Sequence, residues 1–243
     1  MDEKIRELKE IIEKAQKICV FSGAGISCPS GIPDFRSADG LYNTKGDYAY
    51  SPEEIISHSF FVKKPELFYE FYKSKMIYED AEPNKAHRFF RKLEEQGKTV
   101  FVVTQNIDSL HTMAGSKRVF EIHGSVKRNY CTRCNEFYDE HYILSCEGVP
   151  YCEKCGGIVK PDVVLYEEEL DGKVVQGAVN AIKNSELLII IGTSLAVYPA
   201  ASFVNIFSGE KVVLINKSAT PKDAEADIVI YDDIVNVVEK ITN

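Results

Sequence analysis

Two cysteine pairs constrain this chain more than any other feature. Cys131 and Cys134 form one Cys-x-x-Cys pair, Cys152 and Cys155 form a second, and residues 135–151 lie between them. Each pair is the knuckle of a four-thiolate zinc site, and two knuckles close the coordination sphere. A closed site has no open position for substrate, so its zinc, one per chain, holds a small module together and takes no part in chemistry. Of the other thiols, Cys19 falls in an apolar run and reads as core, while Cys146 reads as a spare loop thiol. Seven cysteines is an odd number, and the metal-type pairing points to a reducing compartment, not to a secreted disulfide framework.

The rest of the chain reads as alternating strands and helices. Apolar runs at Ile18–Phe21, Val100–Val103, Val119–Ile122, Val163–Leu165, Leu187–Ile191, Val212–Ile215 and Ile228–Ile230 are expected as strands. Ile5, Leu8, Ile12 and Ala15 recur at helical spacing. Ser51-Pro52-Glu53-Glu54 fits a capping box with proline at the first helical position. Pro65 opens a helix bearing Phe68, Phe71 and Tyr72. Asn84 caps another, with Ala86, Phe89, Phe90 and Leu93 inward and Gly97 at its end. Helical patterns near Pro199–Ile206 and Ile234–Ile241 separate the last strands. This alternation predicts a mainly parallel α/β sheet, Rossmann-like, with helices on both faces. Residues 37–98, mostly helical, and 124–162, cysteine-bearing and turn-rich, read as insertions between strands of that sheet. The expected division is a large domain of 1–36, 99–123 and 163–243, and a small domain joining a helical lobe, 37–98, to the zinc ribbon, 124–162.

Polar residues collect where strands end. Gly23-Ala24-Gly25-Ile26-Ser27 follows the first strand. Glycines there either make a tight turn or let backbone N–H groups approach a phosphate. A full dinucleotide fingerprint would have glycine at position 28, where Cys28 stands, and an acidic residue about 20 residues on. Gly31-Ile32-Pro33-Asp34-Phe35-Arg36 follows at once, and Gln105-Asn106-Ile107-Asp108 follows the Val100–Val103 strand. Gly192-Thr193-Ser194 and Asn216 end two later strands. Each is an ordinary turn taken singly; together they mark the carboxyl edge of a sheet, where open α/β folds bind ligands. His123, in Glu121-Ile122-His123-Gly124, lies at the same edge, unlike His58, His87, His111 and His141. It is either a structural histidine or a general base working near its ordinary pKa of about 6.5.

These motifs, in this order, resemble the sirtuin family over about residues 20–216. The resemblance implies an NAD-dependent protein-lysine deacetylase with its active-site cleft between the two domains. In that family NAD is consumed as a co-substrate: the acyl-lysine oxygen attacks the ribose carbon as nicotinamide leaves, and a histidine base then deprotonates a ribose hydroxyl. The products are nicotinamide, O-acyl-ADP-ribose and free lysine. By matched position His123 is implied as the base, with Asn106 in the catalytic pocket. Gly23, Ala24 and Gly25 correspond to the phosphate cradle, Ser27 and Cys28 are implied as further cofactor-binding residues, and Asp34, Phe35 and Arg36 correspond to the flexible loop over the reactive ribose. Gln105, Asn106, Ile107 and Asp108 correspond to the ribose and nicotinamide pocket, with Asp108 reading the carboxamide. Thr193, Ser194 and Asn216 correspond to contacts with phosphate and adenosine ribose, and Gly192 is implied as a further cofactor-binding residue. The substrate peptide is implied to pair as a strand between Val163-Val164-Leu165-Tyr166 and Ser194-Leu195-Ala196-Val197, through Val163, Leu165, Tyr166 and Val197. Leu165-Tyr166-Glu167-Glu168 departs from the family, where Phe-Phe-Gly-Glu or similar is common. Ser37-Ala38-Asp39-Gly40-Leu41-Tyr42 resembles deacetylating members and lacks the Tyr-x-x-Arg pair that holds acidic acyl groups, so acetyl or another uncharged acyl group is implied.

Composition narrows the partners. Acidic residues outnumber basic ones, 37 to 29, for a net charge of -8, so the basic footprint of a nucleic-acid binder is missing. The longest aliphatic run, Leu187–Ile191, is far short of the roughly 20 residues that span a bilayer, and the N-terminus is charged. A cytoplasmic protein acting on acylated lysine, with no nucleic-acid or membrane contact, is expected. Three rivals remain: a dehydrogenase, disfavoured by the missing acidic residue; a mono-ADP-ribosyltransferase; and a non-catalytic NAD-sensing regulator.

Overall fold

The computed structural model describes residues 2–35, 40 and 48–242. In chain order its strands are β1 (Lys17–Ser22), β2 (Thr99–Thr104), β3 (Val119–Glu121), β4 (Gly124–Cys131), β5 (Phe137–Tyr138), β6 (Val159–Val163), β7 (Leu187–Ile191), β8 (Lys211–Asn216) and β9 (Ile228–Tyr231). Its α-helices are α1 (Asp2–Lys14), α2 (Pro52–Ile55), α3 (His58–Lys63), α4 (Pro65–Lys75), α5 (Lys85–Glu95), α6 (Leu110–Met113), α7 (Glu140–Ser145), α8 (Gly172–Lys183) and α9 (Ile234–Thr242).

Six strands form a parallel sheet in the order β3-β2-β1-β7-β8-β9. The chain builds outward from β1 in one direction, returns, and builds outward in the other, so β1 and β7 flank the point where strand order reverses. That is where doubly wound sheets bind their ligands. Register aligns the strand ends: Ser22 lies beside Thr104 and Ile191, and Ile191 beside Ile215. Gly23, Gln105, Gly192 and Asn216 therefore leave the sheet at one edge.

Alternation along the strands fixes which helices cover which face. Ile18 and Val20 of β1, with Leu187, Ile189 and Ile191 of β7, join Leu8 and Ile12 of α1, Phe90 and Leu93 of α5, and Val237 of α9. Cys19, Phe21, Leu188 and Ile190 point the other way, onto Ala178, Ala181 and Ile182 of α8 and onto Phe203 and Val204. Both faces are buried, which is why these strands read as unbroken apolar runs.

A second, antiparallel sheet, in the order β5-β4-β6, carries the cysteines. Its core joins Val126, Val159 and Val163 to Phe61, Phe68, Tyr69 and Tyr72 of α3 and α4. Phe68 stacks on Tyr72 with ring centres 5.6 Å apart. The fold class read from the sequence is correct: a Rossmann-like sheet covered on both faces, with a helical and cysteine-bearing companion.

Three local readings are corrected. The apolar run Val163–Leu165 is not a strand of the large sheet: β6 ends at Val163 and pairs with β4, and both Val163 and Leu165 are buried in the core of the small sheet. Hydrophobicity alone does not say which sheet a short run joins. Helix α5, within the segment read as one helical lobe, packs instead on the large sheet through Ala86, Phe89, Phe90 and Leu93. The pattern near Pro199–Ile206 forms a 3-10 helix, Ala200–Ile206. The capping box at Ser51 is present, but its helix runs only Pro52–Ile55.

Candidate active site

The first loop after β1 and the loop after β7 touch. Gly23 N–H donates to Ile191 O at 3.0 Å, and Gly25 N–H donates to Gly192 O at 2.8 Å. A Cβ on Gly25 would stand 2.7 Å from Gly192 Cα, and one on Gly23 would stand 2.7 Å from Thr193 Cβ. These glycines are required by the approach of two protein backbones, a cause distinct from approach to a phosphate.

Above this contact lies a cleft of about 730 Å3 at the carboxyl edge of the sheet. Gly23, Ala24, Gly25, Cys28, Asp34, Phe35, Gln105, Asn106, His123, Gly192, Thr193, Ser194, Val197 and Asn216 all line it. A recess of about 40 Å3 shares Ala24, Phe35 and Asn106 with the cleft and is walled by Ser27, Ile107 and Asp108. Arg36 lies outside the described residues, as do most of the residues that follow it in the acyl-selective segment. Val163 and Leu165 are not in the cleft wall: their side chains are buried in the small sheet. Tyr166 pairs its main chain inward, donating to Ile56 O and accepting from His58 N–H, both at 3.0 Å. Lys217, Asp232 and Asp233 line the cleft too and were missed. They follow β8 and β9, so extending the strand-end rule to the last strand would have found the two aspartates.

His123 is half-buried, in the two-residue crossing between β3 and β4. Its Nδ1 lies 2.9 Å from Gln105 O. A carbonyl oxygen only accepts, so Nδ1 carries the proton and Nε2 keeps a lone pair. Burial lowers the pKa of the ring below its ordinary value, partly opposed by that carbonyl bond, and the imidazole is neutral at pH 7. The other histidines do different work. His111 and His87 are buried with ring centres 4.7 Å apart, and His111 Nε2 meets Ser22 Oγ at 3.1 Å. His58 and His141 pair with Glu168 and Glu79 at the surface.

Asp108 is held from three sides. Ser27 Oγ donates to its Oδ2 at 2.7 Å, Leu110 N–H donates to its Oδ1 at 2.8 Å, and Asn106 Nδ2 donates to Ser27 Oγ at 3.0 Å. Burial raises its pKa; the bonds from Leu110 and Ser27 oppose that rise. The result is a fixed, poorly hydrated acceptor facing a small recess. Gln105 Nε2 donates to Thr193 Oγ1 at 3.0 Å, tying the β2 loop to the β7 loop across the cleft.

The sulfur atoms of Cys131, Cys134, Cys152 and Cys155 lie within 4.8 Å of one another. Cys131 and Cys155 are 3.4 Å apart, and Cys134 and Cys152 are 3.5 Å apart. A tetrahedral zinc with Zn–S bonds of about 2.3 Å sets its sulfurs roughly 3.8 Å apart, so the cluster fits the ion. Arg133 N–H points at Cys131 Sγ from 3.4 Å and Tyr138 Oη–H at Cys152 Sγ from 3.3 Å, the donors expected around thiolates. Cys146 is not among the four.

Comparison with known proteins agrees with this geometry. Residues 23–199 match the Sir2 family. The chain belongs to the Sir2 family. A Clostridium perfringens relative named NAD-dependent protein deacetylase is 59% identical over 242 residues, covering 99% of each chain. One of the same name from Staphylococcus epidermidis is 44% identical over 239 residues, covering 98% of this chain and 97% of its own. A solved structure described as Sir2 bound to acetylated peptide superposes with a TM-score of 0.85 at 34% identity, over 98% of this chain and 97% of that one.

Against the Sir2 pattern, Glu167 stands where glycine is common, and the backbone explains both facts. Glu167 has φ +76, a left-handed conformation that glycine adopts without strain. Here the glutamate side chain compensates: its carboxylate accepts from Ser59 N–H at 2.9 Å and from Ser59 Oγ at 3.1 Å, in the first turn of α3.

Proposed function

We propose that this Sir2-family chain removes acetyl or similar uncharged acyl groups from protein lysines in the cytoplasm, consuming NAD and giving nicotinamide, O-acetyl-ADP-ribose and free lysine. The observation that carries the reading is His123: a half-buried imidazole with Nδ1 committed to Gln105 O and Nε2 left as acceptor, set in the wall of the same cleft as the glycine loop.

NAD, when bound, supplies the ribose carbon to which the acyl oxygen adds as nicotinamide leaves. The residues' tasks follow from their places. Gly23, Ala24 and Gly25 line the phosphate end of the cleft beyond β1, with Thr193 and Ser194 opposite them. Asp108, with Ser27 and Asn106 fixing it, accepts from the carboxamide N–H in the recess. Phe35, shared by cleft and recess, shields the reacting carbon from water. His123 Nε2 takes a ribose hydroxyl proton once nicotinamide has left. The acyl-lysine lies beside Val197. The four cysteines hold zinc, which keeps β4 and β6 registered and is remote from every proton transfer.

Incubation with NAD and an acetyl-lysine peptide, with products identified by mass, tests this directly. All three products are expected. Nicotinamide release without peptide would instead favour ADP-ribosyl transfer. The Asp108→Asn variant replaces a charge-assisted hydrogen bond, worth about 1.5–3 kcal/mol, with a neutral one. It should weaken NAD use and free-nicotinamide inhibition together, each by roughly ten- to a hundredfold. Unchanged nicotinamide inhibition would remove Asp108 from the pocket.

A further inference from the structure

A chain of polar contacts links the two sheets on either side of His123, through residues that the reaction does not use. Arg128, on β4, donates from Nη1 to Glu121 Oε2 at 2.6 Å and from Nε to Asp162 Oδ2 at 2.7 Å. Glu121 ends β3 in the large sheet, whereas Asp162 lies on β6 in the small one. The second oxygen of Glu121, Oε1, is 2.6 Å from Ser109 Oγ, which is also 2.6 Å from Ser125 Oγ. A carboxylate only accepts, so the direction is fixed: Lys127 N–H donates to Ser125 Oγ, Ser125 Oγ–H to Ser109 Oγ, and Ser109 Oγ–H to Glu121.

Ser109 directly follows Asp108 and has φ +60. A non-glycine residue stays in the left-handed region only when its surroundings hold it there. The Glu121 carboxylate, reached by the Ser109 hydroxyl, is that hold. Glu121 itself has a side chain only 9% exposed, and a nearly buried carboxylate needs a charged partner. Arg128 is the partner.

We propose that Arg128 and Glu121 are positioning residues for the nicotinamide recess: their ion pair fixes Ser109 in its left-handed turn and thereby aims the Asp108 carboxylate. The inference rests on the deacetylase reading for the recess's ligand, but the geometry it invokes does not. The groups facing Asp108 are Ser27 and Asn106 from neighbouring loops, Leu110 N–H from α6, Glu121 from β3, and Lys75, Tyr78 and Lys127 in the walls of the recess. Glu121 is the one anionic side chain among these groups, so Arg128 also offsets the charge that Glu121 sets beside Asp108.

The test compares Arg128→Met, Glu121→Gln and the double variant with wild type, each as full-length, zinc-loaded protein. NAD binding by calorimetry, nicotinamide inhibition, and separate KM values for NAD and acetyl-lysine peptide are measured. Arg128→Met leaves a buried carboxylate unpaired and should weaken NAD binding and nicotinamide inhibition about three- to tenfold, with the peptide KM unchanged. The double variant should recover most of that loss, because the neutral amide introduced by Glu121→Gln still accepts from Ser109 and needs no cation. Wild-type nicotinamide inhibition in Arg128→Met would overturn the proposal. So would a loss in the double variant as large as in the single one, or a parallel rise in peptide KM, both signs of a merely structural role. Wild-type protein that binds NAD but yields no deacetylated peptide would refute the deacetylase reading alone; the Arg128 comparison would still be decided by calorimetry.

Discussion

His123→Ala is expected to lower deacetylation by about 10²–10⁴-fold, the range supplied by a positioned general base. The same variant should keep part of the exchange of labelled nicotinamide into NAD, because the base acts only after nicotinamide has left. Exchange should depend on acetyl-lysine peptide, since the acyl oxygen is the first nucleophile. Loss of both reactions together would place His123 in the first step, and near-normal deacetylation in folded protein would remove it from the reaction. The pH profile gives an independent check. Burial lowers the pKa of His123 below the usual value of about 6.5, so the neutral, proton-accepting form predominates at pH 7. Wild-type activity should therefore fall as pH is lowered, with the midpoint of the acid limb below about 6.5. The residual activity of His123→Ala should lack that acid limb.

Loss of zinc is expected to have the largest effect on stability. Structural zinc in small modules contributes about 10–16 kcal/mol of apparent folding free energy. Cys131 and Cys152 are also buried members of the core that joins the small sheet to α3 and α4. Cys131→Ala should therefore lose the metal and lower the melting temperature, and the fall in activity should follow the fraction of protein still folded. Cys146→Ala should keep its full zinc content. The backbone carbonyl of Cys146 accepts from Lys73 Nζ at 2.6 Å, and alanine preserves that contact. Stoichiometric zinc in Cys131→Ala would overturn the ligand set.

The parts of this molecule that were legible in the sequence are those written in short stretches. Leu187–Ile191 was bounded correctly because both faces of β7 are buried and every residue is aliphatic. The cysteine ligands were legible because the spacing inside each pair is dictated by the metal. The cleft was legible because parallel strands in register deliver their next residues to a common edge. What could not be read depends on contacts between distant segments. Val163–Leu165 looks like any buried strand, and only its pairing with Gly124 assigns it to the small sheet. Helix α5 was placed with its sequence neighbours, whereas its apolar stripe faces the large sheet. The Arg128–Glu121–Ser109 chain carries no motif, since charged and hydroxyl residues at those positions look like solvent-facing ones.

Glu167 bears on how this chain is compared with others. Its carboxylate meets both the amide and the hydroxyl of Ser59, across more than a hundred residues of sequence. Glycine at 167 relieves the backbone but leaves that hydroxyl without its acceptor, and losing the Ser59 hydroxyl leaves the strained glutamate less firmly held. Positions 59 and 167 are thus physically coupled, and their side chains are best exchanged together. An alignment that scores position 167 alone records a broken motif; scored jointly with 59, the same residue is one half of a replacement anchor.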